Sequence, residues 1–106
     1  MAIVEVSIAP IGLTHTSLSE YVANSLLVLQ ESGLKYQLTS MGTIIEGDLD
    51  EILATIRSMH ETVFKEGVMR VVTSIKIDDR RDKIATHEGK IESVLNKMEM
   101  KKDDDL

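Results

Sequence analysis

The sequence contains no cysteine and a single proline among its 106 residues. The absence of cysteine excludes a disulfide framework and any chemistry that depends on a thiolate. The first residues, MAIVEVSIAP, carry neither the basic start nor the small-residue cleavage site of a signal peptide. The longest apolar run, within SLLVLQ, is far too short to cross a bilayer. We therefore expect a soluble, cytoplasmic protein with no membrane partner.

Aromatic residues are also scarce, at two tyrosines, one phenylalanine and no tryptophan, and the formal net charge is −6 at pH 7. The chain therefore offers few rings on which bases can stack, and its negative charge repels a phosphate backbone. These two features argue against nucleic acid as the main partner. The same charge tolerates a small cationic ligand.

No motif in the chain indicates catalysis or metal binding. The three histidines, His15, His60 and His87, are scattered without H-x-x-x-H spacing and without an evident carboxylate partner. His60 is interpreted as a packing residue. No Gly-rich phosphate loop, nucleophile elbow or Ser/His/Asp order occurs. The sequence predicts a protein that is not an enzyme and holds neither a metal nor a cofactor.

Hydrophobic periodicity predicts seven secondary-structure elements. In chain order they are a strand at Ile3–Ala9, a helix from Ser17 to Gly33, strands at Tyr36–Thr39 and Thr43–Gly47, a helix from Asp48 to Gly67, a strand at Met69–Ile77 and a helix from about Glu88 to Met98. Residues 1–100 are predicted to form one domain. Residues 101–106, KKDDDL, are predicted to be a solvated, frayed tail.

Polar and glycine residues mark the ends of these elements. Ser17 with Glu20 predicts a capping box for the first helix, and Asp48 with Glu51 repeats the pattern for the second. Gly33 is expected to end the first helix in the left-handed conformation. Gly42 is expected in the hairpin connection, where glycine adopts a positive φ at the lowest cost, and Gly47 is expected to let the strand turn into the next helix.

The element order β-α-β-β-α-β-α predicts a ferredoxin-like α+β sandwich, in which two helices cover one face of a four-stranded antiparallel sheet. Ile44 and Ile45 are adjacent in a strand, so their side chains point to opposite faces. The second face therefore also carries apolar surface. A partner subunit, or the third helix of this chain or of a neighbour, is expected to cover it, and a homo-oligomer is predicted.

Four segments resemble the small thiamine-binding protein family over about Ile3 to Leu95. They are IAPIG at Ile8–Gly12, MGTIIEGDLDEI at Met41–Ile52, VVTSIKIDDRRDK at Val71–Lys83 and KIESV at Lys90–Val94. The resemblance implies a ferredoxin-like subunit that assembles into a homotetramer, a dimer of dimers. It also implies binding of thiamine or its hydroxymethylpyrimidine part without turnover.

Two residues of the second of these segments are candidate ligand contacts. Glu46 can accept hydrogen bonds from an aminopyrimidine or offset a cationic thiazolium. Alternatively, it pairs with Arg70, Lys76 or Arg80 on the sheet, or faces water. Thr43, on the opposite side of the strand, donates to a ligand or satisfies the hairpin.

Thr16 and Ser17 are further candidates, because they precede the first helix, whose free backbone N–H groups can take an anion or the polar edge of a ring. Plain capping of the helix by Ser17 is the alternative. The charged run Asp78–Lys83 is expected to pair within itself or across a subunit interface.

Two other functions remain open at this point. The chain can be a structural or regulatory homo-oligomeric domain without a thiamine ligand. It can also be a small hydrolase or isomerase with Glu46 as the base, although no second catalytic group is evident beside it.

Overall fold

The computed structural model describes residues 1–13, 18–84 and 86–104 of the chain, without the side chains of residues 103 and 104. The elements follow one another in the predicted order: β1 (Ala2–Pro10), α1 (Ser19–Ser32), β2 (Lys35–Thr39), β3 (Gly42–Gly47), α2 (Leu49–Phe64), β4 (Val71–Asp79) and α3 (His87–Asp104). None of these helices is long and apolar enough to span a membrane.

The four strands form one antiparallel sheet in the order β2-β3-β1-β4. Helices α1 and α2 pack on the same face of this sheet, which confirms the predicted ferredoxin-like α+β sandwich. The core between them is apolar and comprises Val4, Val6, Leu29, Ile45, Ile52, Ile56 and Met59. Val4 and Val6 are buried while Glu5 and Ser7 are exposed, as the alternation along β1 predicts.

The start of α2 is capped as expected, because the backbone N–H of Glu51 donates to Oδ2 of Asp48 over 3.1 Å. The start of α1 differs from the prediction, since Leu18 occupies the N-cap position and makes no side-chain cap hydrogen bond. The first helical hydrogen bond runs from the N–H of Val22 to the carbonyl of Leu18 over 3.1 Å. The helix therefore begins one residue later than the predicted N-cap. Ser17 lies outside the described residues.

Two glycines turn the chain near the hairpin and α1, and a third allows two strands to approach closely. Gly33 ends α1 with φ 77°, as predicted, and Gly47 has φ 148° at the turn into α2. The prediction for Gly42 was wrong, because its φ is not positive. Glycine is required there because a Cβ atom would lie 2.8 Å from the backbone carbonyl oxygen of Val6. Glycine is thus needed at position 42 because β3 and β1 approach closely there, and not because the turn requires it.

The last two elements extend further toward the C-terminus than the sequence pattern indicates. Strand β4 continues into the charged run as far as Asp79, and α3 continues to Asp104, so the predicted tail begins as helix. Lys101 and Lys102 stand in the last turn of α3, where positive charge complements the helix dipole.

Candidate functional site

Thr43 and Glu46 lie on opposite faces of the sheet. Successive side chains of a strand alternate between faces, and the two residues are three positions apart in β3. Thr43 pairs with Val6 of β1 and faces the helices, whereas Glu46 pairs with Ile3 and faces α3. The structure therefore does not bring these two predicted ligand residues into one pocket.

A cavity of about 550 Å³ opens beside Thr43 on the helix side of the sheet. Its walls come from β1, the β2–β3 hairpin, the first half of α1 and Met59 of α2, and they include Ile8, Leu18, Val22, Leu26, Leu38 and Met41. This volume falls within the range of about 300–1,000 Å³ that is typical of small-molecule sites, and the mainly apolar walls are typical of them too.

Thr43 is one of several hydroxyl-bearing residues that line this cavity. Thr43 is 6% exposed and lines the cavity, and among the described residues no buried side-chain oxygen or nitrogen atom lacks a hydrogen-bond partner. The side-chain hydrogen bond that closes the hairpin comes from another threonine, since Oγ1 of Thr39 donates to the carbonyl of Gly42 over 2.9 Å. Ser25 also lines the cavity, but its hydroxyl donates to the carbonyl of Tyr21 within the same helix over 2.8 Å.

The predicted contacts Thr16 and Ser17 fall outside the described residues. The residues that follow them, Leu18 and Ser19, line the same cavity as Thr43.

Glu46 has a different environment, in which its carboxylate holds the start of α3. The residue is 5% exposed, and the backbone N–H of His87 donates to its Oε1 over 2.6 Å. The ammonium of Lys35 lies 3.7 Å from the other carboxylate oxygen and 3.0 Å from Oε2 of Glu88. The hydrogen bond to Glu88 raises the pKa of Lys35, and the charge of Glu46 adds to the effect.

The alternative partners predicted for Glu46 were wrong, because Lys35 and the start of α3 take the place of Arg70, Lys76 and Arg80. The cavity that touches Glu46 has a volume of about 20 Å³. Such a space holds about one water molecule, since a water requires roughly 10–15 Å³ on this measure. An organic ligand can reach Glu46 only if α3 moves.

In the charged run Asp78–Lys83, both arginines pair with aspartates of the run, as one of the two predicted alternatives states, while Asp78 pairs with Lys90 of α3. Arg80 donates to both carboxylate oxygens of Asp82, over 2.6 and 2.9 Å, and Arg81 donates to Asp79 over 2.9 Å. The hydrogen bond from Arg80 lowers the pKa of Asp82 to about 2. These side chains are therefore charged and mutually neutralised near neutral pH.

His60 has the packing role that the sequence predicts. Its Nδ1 lies 2.6 Å from Oγ1 of Thr73, and its ring meets that of Phe64 edge to face at 5.2 Å. These contacts join α2 to β4. Over residues 1–13, 18–84 and 86–104, no three histidine or carboxylate side chains cluster closely enough to hold a metal ion.

Lys35 and the apolar wall of the cavity were not predicted as functional residues. Leu26, Leu38 and Met41 come from a helix, a strand and a turn, and each has the ordinary residue type for its element. No local pattern marks them, because the cavity exists only after these elements pack together.

The model of the thiamine-binding protein family matches residues 4–95 of the chain. The UPF0045 protein YqgV of Bacillus subtilis is 51% identical over 98 residues, which cover 89% of this chain and 94% of that protein. A hypothetical protein of Methanocaldococcus jannaschii, MJ1052, has a crystal structure that superposes with a TM-score of 0.81 at 44% identity, covering 88% of this chain and 94% of that one.

A further solved structure is that of TM0486 from Thermotoga maritima, a candidate thiamine biosynthesis/salvage protein. It superposes with a TM-score of 0.75 at 22% identity and covers 88% of this chain and 97% of that one. At this level of identity the likeness concerns the fold alone.

Proposed function

The chain belongs to the thiamine-binding protein family, and from this premise we propose that it binds thiamine or a related hydroxymethylpyrimidine, without turnover, as a homo-oligomer. The observation that carries the proposal is the mainly apolar 550 Å³ cavity with the Thr43 side chain in its wall. A ligand in the cavity can exchange a hydrogen bond with the Thr43 hydroxyl.

The cavity suits an aminopyrimidine in both shape and polarity. Apolar side chains such as Leu26, Leu38 and Met41 offer contact surface for the faces of a flat ring. The Thr43 hydroxyl can accept from an amino group or donate to a ring nitrogen. The net charge of −6 favours a ligand that carries a cationic thiazolium.

Binding without turnover fits the side chains available. Glu46 is buried in β3, where Lys35 and the N–H of His87 engage its carboxylate and only about 20 Å³ of space adjoins it. The cavity at Thr43 has no acidic or basic side chain among its described lining residues. A general acid or base must lie within hydrogen-bond reach of the reacting group, so we propose no reaction.

The Thr43→Val variant tests the ligand contact, because it keeps the shape of the side chain and removes the hydroxyl. A neutral hydrogen bond contributes about 0.5–1.5 kcal/mol, so the variant should bind thiamine or hydroxymethylpyrimidine roughly 2- to 10-fold more weakly. Isothermal titration calorimetry with both compounds measures the difference. The control is Thr55→Val on α2, whose hydroxyl bonds to the carbonyl of Glu51, away from the cavity.

Wild-type protein that binds neither compound would favour the alternative function, a structural or regulatory domain without a thiamine ligand. Equal losses in Thr43→Val and Thr55→Val would show that a general change in stability, and not the contact, is responsible.

Assembly into a homo-oligomer is supported by the shape of the subunit. The radius of gyration is 17.0 Å, whereas a compact domain of about 100 residues has roughly 13 Å. Helix α3 is long for such a domain, since its 18 residues span about 27 Å, and its hydrogen bonds to β2 and β3 come from its first turn. Its apolar side chains stay half exposed, namely Ile91, Val94, Leu95 and Met98.

We infer that a second copy of the chain covers these apolar side chains of α3. Between α3 and the second face of the sheet lies a cavity of about 470 Å³, walled by Ile3, Ile44, Ile91, Val94 and Leu95. Exposed apolar surface of this kind marks an interaction site. We propose a dimer of dimers in which α3 contributes to the subunit contact.

Sedimentation equilibrium at micromolar concentration should therefore give a mass well above the 11.8 kDa of one chain. Leu95→Lys places a charge in the apolar stripe of α3 and should shift the protein toward smaller species. Asn96→Lys, the next residue and also exposed, is the matched control and should leave the mass unchanged. A wild-type protein that sediments only as an 11.8 kDa monomer would contradict the assembly.

A further inference from the structure

A basic cleft of about 810 Å³ lies between the end of β4 and α3, and no function described above uses it. Five lysine and arginine side chains line it, together with three aspartates. The cleft is thus locally positive in a chain whose net charge is −6. We refer to it as the basic cleft.

Each of the three aspartates forms an ion pair with one of the five basic side chains. Two positive charges therefore remain without a matching aspartate. Asp82 pairs with Arg80, Asp79 pairs with Arg81, and Asp78 pairs with Lys90. The two remaining cations, Lys83 and Lys97, form no ion pair with a carboxylate in the part of the chain that the structure describes. After Arg80, the charge of Lys83 also lowers the pKa of Asp82. Two ammonium groups therefore remain available to an anion.

Hydrogen-bond donors on α3 face the same space. Lys90, Ser93 and Lys97 follow one another at intervals of three and four residues, which puts them on one side of the helix. This side of α3 lines the basic cleft, so the Ser93 hydroxyl adds a neutral donor between two lysines. Ammonium groups and hydroxyls, like the guanidinium of arginine, are side-chain donors that can hold phosphate oxygens.

We propose that the basic cleft binds a small anion that carries a phosphate or pyrophosphate group, with Lys83 and Lys97 as its principal contacts. The site is separate from the thiamine cavity. Asp79 of the cleft pairs with Ala2 of β1, while the thiamine cavity touches β1 only from Val6 onward. Four residues of strand separate these points by roughly 13 Å.

Calorimetric titration with inorganic pyrophosphate at low ionic strength tests the proposal. The wild-type chain should bind about one pyrophosphate, and Lys83→Gln and Lys97→Gln should each raise the dissociation constant at least fivefold. Lys101→Gln is the matched control, because Lys101 is an exposed lysine one turn further along α3 and does not line the cleft. It should change the constant less than twofold.

Two results would overturn the proposal. One is that the wild type shows no saturable binding. The other is that Lys101→Gln loses as much affinity as the cleft variants, which would mean that only the net charge of the protein matters. A parallel titration with phenyl phosphate distinguishes an organic phosphate monoester from the inorganic ion as the preferred form. Thiamine affinity should be unchanged in Lys97→Gln. A failure of thiamine binding therefore leaves the pyrophosphate result fully interpretable.

Discussion

Gly42→Ala is expected to lower the stability of the fold by about 1–3 kcal/mol, the usual cost of inserting an atom where packing leaves no room. The added Cβ would lie 2.8 Å from the backbone carbonyl oxygen of Val6. That oxygen belongs to β1, the strand that pairs with both β3 and β4, so it cannot yield without disturbing two strand pairings. Gly42→Val should cost more, since its two additional methyl groups also need space.

Urea unfolding followed by circular dichroism measures this effect, at a protein concentration held constant because assembly adds to stability. Ser40→Ala, an exposed position in the same hairpin turn, should leave the midpoint nearly unchanged. A Gly42→Ala midpoint equal to that of the wild type would mean that β3 and β1 are further apart than the structure has them.

Glu46→Ala is expected to detach the beginning of α3 from the sheet. The variant removes the acceptor of the His87 N–H and one of the two carboxylates around Lys35. A hydrogen bond to a charged group contributes about 1.5–3 kcal/mol, which is a large part of what ties a helix with an exposed apolar stripe to its own subunit. We therefore expect faster hydrogen exchange throughout α3 and weaker assembly.

Hydrogen exchange read by mass spectrometry, with sedimentation on the same samples, tests this role. Glu46→Gln keeps an acceptor oxygen for His87 and should have a smaller effect than Glu46→Ala. Glu88→Gln is the control, because its exposed ion pair with Lys35 is of the kind that contributes little to stability. Unchanged protection of α3 in Glu46→Ala would refute the role in docking.

The same Glu46→Gln variant decides whether the carboxylate also contacts a ligand, as the sequence predicts. With a space of only about 20 Å³ beside Glu46, we expect its thiamine affinity to stay within twofold of the wild type. A loss of about tenfold or more, with α3 protection and assembly intact, would instead establish the direct contact.

The sequence by itself determined the elements and their order, because the signals for them are local. The alternation along β1, the Asp48 cap of α2 and the left-handed Gly33 each depend on residues within a few positions of one another. The segments that resemble the family indicated the same ferredoxin-like fold, and the match of the family model over residues 4–95 confirms that resemblance.

Only the tertiary structure decided what the individual candidate residues contact. The partner of Glu46 lies 41 positions away in sequence, at the start of a helix that returns across the sheet. Gly42 is constrained by Val6 of a neighbouring strand, and the Thr43 cavity is lined by three strands and two helices that pack together only in the folded chain. Local patterns determine which face of a strand or helix a side chain takes, but its neighbours come from distant segments, and these are set by how the elements pack.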